Sequence, residues 1–258
     1  LQFHQQILEN NFLVEVDGEH TGPFYVGGLP WEFSETPPKI DTSIPVPGGD
    51  TEKAINEGFE NKTTEISQEQ SDSPEYPLKN IKVVDTAQGY SGPYLSFMLA
   101  EAGAEVVKVE PIGGDWSKEL SPQTDKGVSA LYQSFNRNKT ITQIDLHTDK
   151  GQLEFESLIE DADILMEEWT NNSPESKIYD YDALKAKNPA LIHFSLSAFG
   201  HRGPMKNKPG SDLTIQAMSS YLRTMGDVGE EPIRVGADVV STCTAAMSFI
   251  AILSALYH

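Results

Sequence analysis

The chain has 258 residues and a formal net charge of −20, which argues against free nucleic acid as a partner because a phosphate backbone needs a basic face. Its single cysteine, Cys243, excludes an internal disulfide and predicts a reducing compartment, which we take to be the cytoplasm. We find no apolar run of the roughly 18 residues that a membrane span needs, so no membrane association is expected.

Residues 1–76 differ in composition from the rest of the chain. Within residues 1–50, an alternating stretch at 12–16 predicts a strand, and several prolines predict extended coil after it. Residues 51–76 are rich in acidic side chains and poor in apolar ones, which predicts a flexible, disordered acidic linker. A short solvated helix at 51–60 is the alternative.

A β-α-β unit follows at residues 81–110. The apolar run at 81–84 predicts a buried strand, the small residues at 88–92 a turn, and the apolar spacing after Pro93 a helix that ends at Gly103. A second strand is predicted at 105–109. The turn between strand and helix is where such sheets bind ligands, although the G-x-G-x-x-G dinucleotide fingerprint is absent.

Strands and helices continue to alternate beyond this unit. We predict strands at 141–146, 163–167 and 191–196, with helices at 130–135, 150–162, 181–187, from Ser211 or Asp212 to 224, and at 237–257. The last helix is nearly all apolar, so burial on most of its sides is expected. This alternation predicts an α/β fold with a Rossmann-like, doubly wound parallel sheet.

The same residues carry a family resemblance from residue 77 to residue 258. Its strongest pieces are Ser91-Gly92-Pro93-Tyr94, the run GAEVVKVEP at 103–111, NRNK at 136–139, PGSDL at 209–213 and Arg234-Val235-Gly236. In this order and spacing they resemble the class III CoA-transferases, the group of formyl-CoA transferase, carnitine CoA-transferase and α-methylacyl-CoA racemase. The resemblance implies coenzyme A or acyl-CoA as substrate, a small carboxylic acid as acceptor, and no metal.

Residues 1–50 resemble the C-terminal end of that family, through Val14-Glu15-Val16-Asp17 and the run FSETP at 33–37. A C-terminal family segment, followed by a linker and then by an N-terminal family segment, implies a tandem protein of two repeats. Residues 77–258 are then the N-terminal part of the second repeat. Since the chain starts at Leu1 without methionine and stops after an apolar stretch, we expect it to be a piece of a longer protein. Family members form interlocked dimers, so the resemblance implies interlocked repeats, as a dimer or within one chain. The alternative is that 1–50 is an unrelated coil.

The reaction of the family uses an aspartate that attacks the thioester, which implies an enzyme-bound aspartyl intermediate. Counted back from His258 without a gap, the family's aspartate position falls on Ser241, and Asp238 lies three residues earlier. Three interpretations stay open. This repeat has lost the nucleophile and supports an active partner repeat, or Asp238 is catalytic, or Asp238 is a helix N-cap.

Coenzyme A contacts follow from the resemblance only loosely. Gly89 and Tyr90 are expected near the thiol arm, and the run of Ile144, Asp145, Leu146 and His147 near adenine and phosphate. Glu168 and Trp169 are expected to line the nucleotide cleft, with Trp169 either stacked on adenine or packed in the core. The basic stretches nearest to the phosphates are Asn138-Lys139 and the pair Lys206 and Lys208.

Two further functions remain as alternatives to the transferase. The racemase branch of the family abstracts a proton with a His and Asp pair, which is not visible in this sequence. A structural pseudo-subunit without catalysis is the other. The histidines His147 and His193 have no second ligand at helical or hairpin spacing, so we assign no metal site.

Overall fold

The computed structural model describes residues 4–18, 22–37, 51–57, 76–227, 229–236 and 238–258. The chain divides into two units, Gln2–Glu75 and Tyr76–His258. The assignment of these units to the end of one repeat and the beginning of another stays a prediction.

The first unit contains a short helix and a hairpin. Helix α1 (Gln5–Glu9) precedes strands β1 (Leu13–Gly18) and β2 (Gly22–Gly27), which pair antiparallel. The structure has a helix, α2 (Thr51–Glu57), at the start of the segment predicted to be a disordered linker. That part of the chain therefore follows the helical alternative, and residues 58–75 lie outside the described residues.

The second unit is built on a five-stranded parallel sheet. Its strands are β3 (Lys82–Asp85), β4 (Glu105–Glu110), β5 (Lys139–Gln143), β6 (Ile164–Glu167) and β7 (Ile192–Ser195), arranged in the order β5-β4-β3-β6-β7. All four neighbouring pairs run parallel. The mixed α/β fold predicted from the alternation of strands and helices is confirmed.

Eight α-helices accompany this sheet among the described residues. They are α3 (Ser91–Glu101), α4 (Ala130–Phe135), α5 (Asp149–Glu160), α6 (Pro174–Ile178), α7 (Tyr181–Lys187), α8 (Asp212–Met218), α9 (Tyr221–Thr224) and α10 (Val239–Tyr257). A short 3-10 helix at Trp116–Glu119 follows β4.

The sheet is covered on both faces, as a doubly wound fold requires. Val83 and Val84 are adjacent in β3 and point to opposite faces, because side chains alternate along a strand. On one face α3 and α10 contribute buried side chains, including Leu95, Leu99, Ala245 and Ile252. On the other face α5 and α7 contribute Phe155, Ile159 and Leu184.

Local sequence signals explain where α5 begins and where α3 ends. The hydroxyl of Thr148 accepts a hydrogen bond from the Gly151 amide at 3.1 Å and so caps α5. Gly103 follows α3 with a φ of +101°, the left-handed conformation expected of a glycine that ends a helix. The connection into β4 therefore needs this glycine.

Helix α10 differs from its prediction in two ways. It begins at Val239, and only one of its faces is buried, since Met247, Ile250 and Tyr257 are exposed. With 19 residues it is also long and apolar enough to cross a membrane, by length and composition alone. The expectation that no such segment exists is wrong, although core helices pass the same test and α10 has buried side chains in the core with α3.

The helix predicted from residue 211 to residue 224 is interrupted. Ser220 adopts a left-handed conformation with a φ of +63°, which ends α8 and starts α9. Such a conformation is unfavourable for a residue with a Cβ and breaks a regular helix.

The two faces of α5 provide a test of the core. Phe155 is fully buried against the rings of Tyr179 and Trp169, whereas Leu153 on the same helix is 68% exposed. Phe155→Ala should lower the free energy of unfolding by about 3–5 kcal/mol. Leu153→Ala, the matched control, should change it by less than about 0.5 kcal/mol. Urea denaturation measures both, and equal losses would contradict this core assignment.

Candidate functional site

A cavity of about 510 Å³ opens where the strands of the parallel sheet end. The chain leaves β3 towards β4 on one side, and β6 lies on the other side, so the strand order reverses at β3. Ligands of doubly wound sheets bind at such a switch point, beyond the carboxyl ends of the strands. Segments after β3, β4, β5 and β6 all line the cavity, with Thr86, Gln88, Val109, Glu110, Pro111, Ile112, Trp116, Ile144, Asp145, Leu146, His147, Glu168, Trp169, Thr170, Ser173 and Glu175.

Two lysines and two aspartates form a buried ion cluster beside this cavity. The Lys108 amine lies 3.0 Å from Asp115 Oδ2 and 3.9 Å from Asp85 Oδ2, and Lys139 Nζ lies 3.5 Å from the same Asp85 oxygen. All four side chains are fully inaccessible to solvent. Two positive and two negative charges thus compensate one another in the interior, as buried charges must.

The pKa values in the cluster follow from burial and from these partners. Burial alone would lower the pKa of Lys108, but Asp85 and Asp115 outweigh it and raise that pKa above its ordinary value. Burial would raise the pKa of Asp115, yet Lys108 and Ser117 hold it below its ordinary value. For Lys139, burial dominates over the attraction of Asp85 and lowers the pKa to about 8.

The cluster also ties together the loops that form the cavity wall. The Asp115 carboxylate accepts hydrogen bonds from the Gly89 amide at 3.1 Å and from the Ser117 amide at 2.8 Å. The Lys108 amine donates to the carbonyl of Ala87. The turn after β3 and the loop after β4 are therefore held by the same pair of charges.

Gly89 is the tightest point of this wall. Its φ is +80°, and a Cβ at this position would lie 2.0 Å from Cζ2 of Trp116. Trp116 is 56% exposed and lines the cavity. Only glycine lets this indole approach the turn so closely.

Glu168 is a carboxyl group of the cavity wall whose pKa is strongly raised. Its Oε1 accepts a hydrogen bond from the Gly92 amide at 3.2 Å. Burial, followed by the charge of Asp85, raises its pKa to about 7, against the opposing effect of the amides of Gln88 and Gly92. The pKa of this half-buried carboxyl group therefore lies near neutrality.

The structure brings together the predicted site residues that follow β5 and β6. Ile144, Asp145, Leu146, His147, Glu168 and Trp169 all line the cavity. Trp169 lines the cavity and also packs near Phe155 and Tyr179, so core packing is observed and stacking on adenine stays a prediction. His147 Nε2 lies 3.3 Å from Glu175 Oε1.

Gly89 and Tyr90 are not among the residues that line the cavity, but both contact its surroundings. Gly89 contacts Trp116, as described above, and Tyr90 points towards α10, with its hydroxyl 3.1 Å from Thr242 Oγ1. The Tyr90 ring also packs edge-on against Phe135 at 4.8 Å. Tyr90 therefore connects the turn after β3 to the start of α10.

The predicted phosphate contacts do not face the cavity. Asn138 donates its side-chain amide to Glu101 Oε1 at 2.7 Å, and the Lys139 amine is buried between Asp85 and the Pro93 carbonyl, 2.9 Å away. Lys208 is exposed in the segment before α8. The assignment of Lys139 to a phosphate is corrected for a physical reason, since its charge is already used to compensate Asp85.

Ser241 and Asp238 occupy the start of α10. Asp238 is the N-cap residue of α10, as one interpretation had it, but its side chain makes no capping hydrogen bond and lies 3.4 Å from Arg234 instead. The Ser241 amide donates to Asp212 Oδ2 at 2.7 Å. Asp212 thus supplies the acceptor that Asp238 does not.

The contact of Asp212 with α10 is a feature of this region that the sequence did not predict. The sequence left Ser211 and Asp212 as equal candidates for the cap of α8, and the structure assigns that role to Ser211, whose hydroxyl accepts from the Thr214 amide at 3.3 Å. Asp212 is therefore directed to α10. Its place in the PGSDL motif was visible in sequence, but its partner 29 residues later was not.

If the cavity binds coenzyme A, as the family resemblance implies, Gly89→Ala should weaken that binding, because the new methyl group displaces Trp116 from the cavity wall. Gly113→Ala is the matched control, since Gly113 has a φ of +101° but open space around its Cβ position. Both variants should lose about 1–2 kcal/mol of stability from the left-handed backbone. Calorimetry should show at least a tenfold weaker Kd for Gly89→Ala alone, and equal affinities would remove this turn from the site.

Glu168→Gln should change the dependence of stability on pH. A pKa raised to about 7 means that the folded state binds the Glu168 proton more tightly than the unfolded state, so wild-type stability is lost as the pH rises from about 4.5 to about 7. The variant lacks this loss. Its free energy of unfolding relative to wild type should be about 1–3 kcal/mol higher at pH 8 than at pH 4, since one pKa unit corresponds to about 1.4 kcal/mol. Urea denaturation giving the same difference at both pH values would contradict this.

Similar proteins share the second unit of the chain. The profile of CoA-transferase family III matches residues 78–258. A succinyl-CoA:mesaconate CoA-transferase of Haloarcula hispanica is 34% identical over 192 residues, which is 70% of this chain and 48% of that protein. A succinate–glutarate CoA-transferase of Agrobacterium fabrum is 33% identical over 189 residues, which is 70% of this chain and 47% of that protein.

Solved structures agree with these sequences. A CAIB/BAIF family protein from Brucella suis superposes with a TM-score of 0.66 and 33% identity, covering 70% of this chain and 49% of that one. The chain spans about half the length of the curated relatives it matches. With its parallel sheet, its switch-point cavity and a profile match over most of its length, the chain belongs to CoA-transferase family III.

Proposed function

We propose that this chain is part of an enzyme that moves coenzyme A from an acyl-CoA donor to a small carboxylic acid. The observation that carries the proposal is the family match over residues 78–258. Relatives named for succinyl-CoA with mesaconate, succinate with glutarate, and acetyl-CoA with oxalate support carboxylic acids as acceptors. The cavity at the switch point is the proposed site for the acyl-CoA.

The proposed chemistry proceeds through an enzyme carboxylate. An aspartate attacks the thioester carbonyl, the carbon–sulfur bond breaks, and a mixed anhydride and the CoA thiolate result. The thiolate then attacks the aspartyl carbonyl, which releases the donor acid and leaves an aspartyl-CoA thioester. The acceptor carboxylate repeats the two steps in reverse order. Backbone amides of glycine-rich turns are suited to the oxyanions that form in each step.

The aspartate of this mechanism does not come from the family position in this chain. The resemblance puts that position on Ser241, whose hydroxyl cannot form an acid anhydride. The carboxylate next to it, Asp212, is engaged by the Ser241 amide and by the side-chain amide of Gln216. We therefore propose that this repeat is silent in nucleophilic catalysis and supports an active partner repeat.

The proposed partner is a second repeat, interlocked with this one as a dimer or within one chain. The exposed apolar side chains of α10, Met247 and Ile250 among them, support an additional covering surface. A cytoplasmic location is part of the proposal, because an exposed single thiol at Cys243 is compatible with a reducing compartment.

The silent-repeat proposal predicts where an acyl group becomes attached. The full-length protein is incubated with succinyl-CoA and then with hydroxylamine, and the modified residue is located by mass spectrometry. We expect a hydroxamate on an aspartate outside residues 77–258, together with near wild-type turnover for Ser241→Ala. Asp238→Asn should cost no more than about 1 kcal/mol of stability.

A hydroxamate on Asp238 or on Asp212 would show that this repeat is catalytic. A protein that transfers no CoA to any carboxylic acid, from succinyl-CoA or acetyl-CoA, would exclude the proposed function itself.

A further inference from the structure

The N-terminus of α3 is already occupied by an anion of the protein itself. Gly92 is the second residue of this 11-residue helix, so its amide is among those without a partner inside the helix. That amide donates to Glu168 Oε1 at 3.2 Å, and the Gln88 amide also bonds to the Glu168 carboxylate. Glu168 follows β6 directly and reaches across the switch point of the sheet to do this.

This position is where parallel α/β proteins bind the anionic groups of their ligands. Free amides and the helix dipole both favour negative charge there. Of the two residues whose amides bond to Glu168, Gln88 lines the cavity and Gly92 lies buried behind it, so a phosphate or carboxylate of a ligand would meet Glu168 at the Gln88 amide first. The approach is a close one, because a Cβ on Gly92 would lie 3.1 Å from Glu168 Oε1 and 2.1 Å from the Cβ of Ala87.

No free positive charge near Glu168, among the described residues, would weaken the repulsion between its carboxylate and an anionic ligand. From the strands, Asp85, Lys108 and Lys139 face this region, and the two lysines are compensated by Asp85 and Asp115. Lys118 is paired with Glu110. The charged or titratable side chains that line the cavity are Glu110, Asp145, His147, Glu168 and Glu175, with neither lysine nor arginine among the described lining residues.

We propose that Glu168 is a specificity-determining residue which, when ionised, closes the N-terminus of α3 to the anionic groups of a ligand. The excluded chemistry is shared by the phosphates of coenzyme A and by the carboxylates of small dicarboxylic acids. The proposal rests on the proposed function only in its choice of these ligands. It concerns binding at this cavity, whether or not this repeat supplies a nucleophile.

Proton uptake by Glu168 opens the position. The raised pKa of about 7 places the change from neutral to ionised carboxyl at neutral pH. Below that pH the neutral carboxyl no longer repels an anion and holds the Gly92 amide less strongly. Affinity for an anionic ligand at this cavity therefore rises as the pH falls through about 7.

The experiment measures the binding of two anionic probes to the full-length protein by calorimetry at pH 6 and pH 8. Adenosine 3′,5′-bisphosphate tests phosphates, and succinate tests carboxylates. At pH 8 we expect Glu168→Gln to bind at least one probe about tenfold more tightly than wild type. Wild-type affinity for that probe should rise several-fold at pH 6, and Glu168→Gln should show a clearly smaller rise, because the Lys139 amine, with a pKa of about 8, also gains protons between pH 8 and pH 6.

Two controls separate Glu168 from the other charges of the cavity. Glu175→Gln removes a lining carboxylate away from α3, and His147→Asn removes the lining imidazole. Glu175→Gln should keep the pH dependence of wild type, and loss of that dependence in His147→Asn would assign it to the imidazole and overturn the inference. Pantetheine, which carries no charge, should bind wild type and Glu168→Gln equally.

The inference is overturned if Glu168→Gln binds both probes no better than wild type at pH 8, or if its binding retains the wild-type pH dependence. A transfer assay with succinyl-CoA in the same variants distinguishes this outcome from failure of the proposed function. Continued transfer with unchanged probe binding removes Glu168 as the determinant and leaves the CoA-transferase intact.

Discussion

Compensation of buried charge is the constraint on which the site depends. Lys108 and Lys139 project from neighbouring strands into an interior that they share with Asp85 and Asp115. An uncompensated charge there would cost several kcal/mol, so the loops that carry the partners must keep their positions. The turn after β3, the loop after β4 and the start of β5 are fixed relative to one another by this requirement. The cavity wall has its shape for the same reason.

The sequence was sufficient for the parts of the fold that follow from periodicity and local chemistry. The strands of the sheet, the helix after the first turn and the left-handed Gly103 could be predicted because each depends on neighbours within a few residues. The extent to which α10 is buried could not. An all-apolar helix has the same sequence pattern whether its second face meets the sheet, another repeat or a membrane.

Of the site, the sequence could predict only those residues whose place depends on where a strand ends. Residues that directly follow β5 and β6 reach the cavity, as expected of parallel strands that end at one edge. Lys139 was predicted to be a phosphate ligand because the sequence does not reveal that its amine is paired with a buried aspartate. Its aspartate lies 54 residues away. The contact between Asp212 and α10 was hidden for the same reason, since both are long-range contacts.

The ion cluster has a consequence for how this family's sequences can diverge. Loss of one member leaves the others with an unbalanced charge, whereas replacement of an opposite pair by apolar side chains of similar volume can be nearly neutral. Single substitutions at Asp85, Lys108, Asp115 or Lys139 are therefore poor intermediates. We expect related sequences either to keep all four residues or to replace one lysine and one aspartate in the same lineage, so that these four positions vary together.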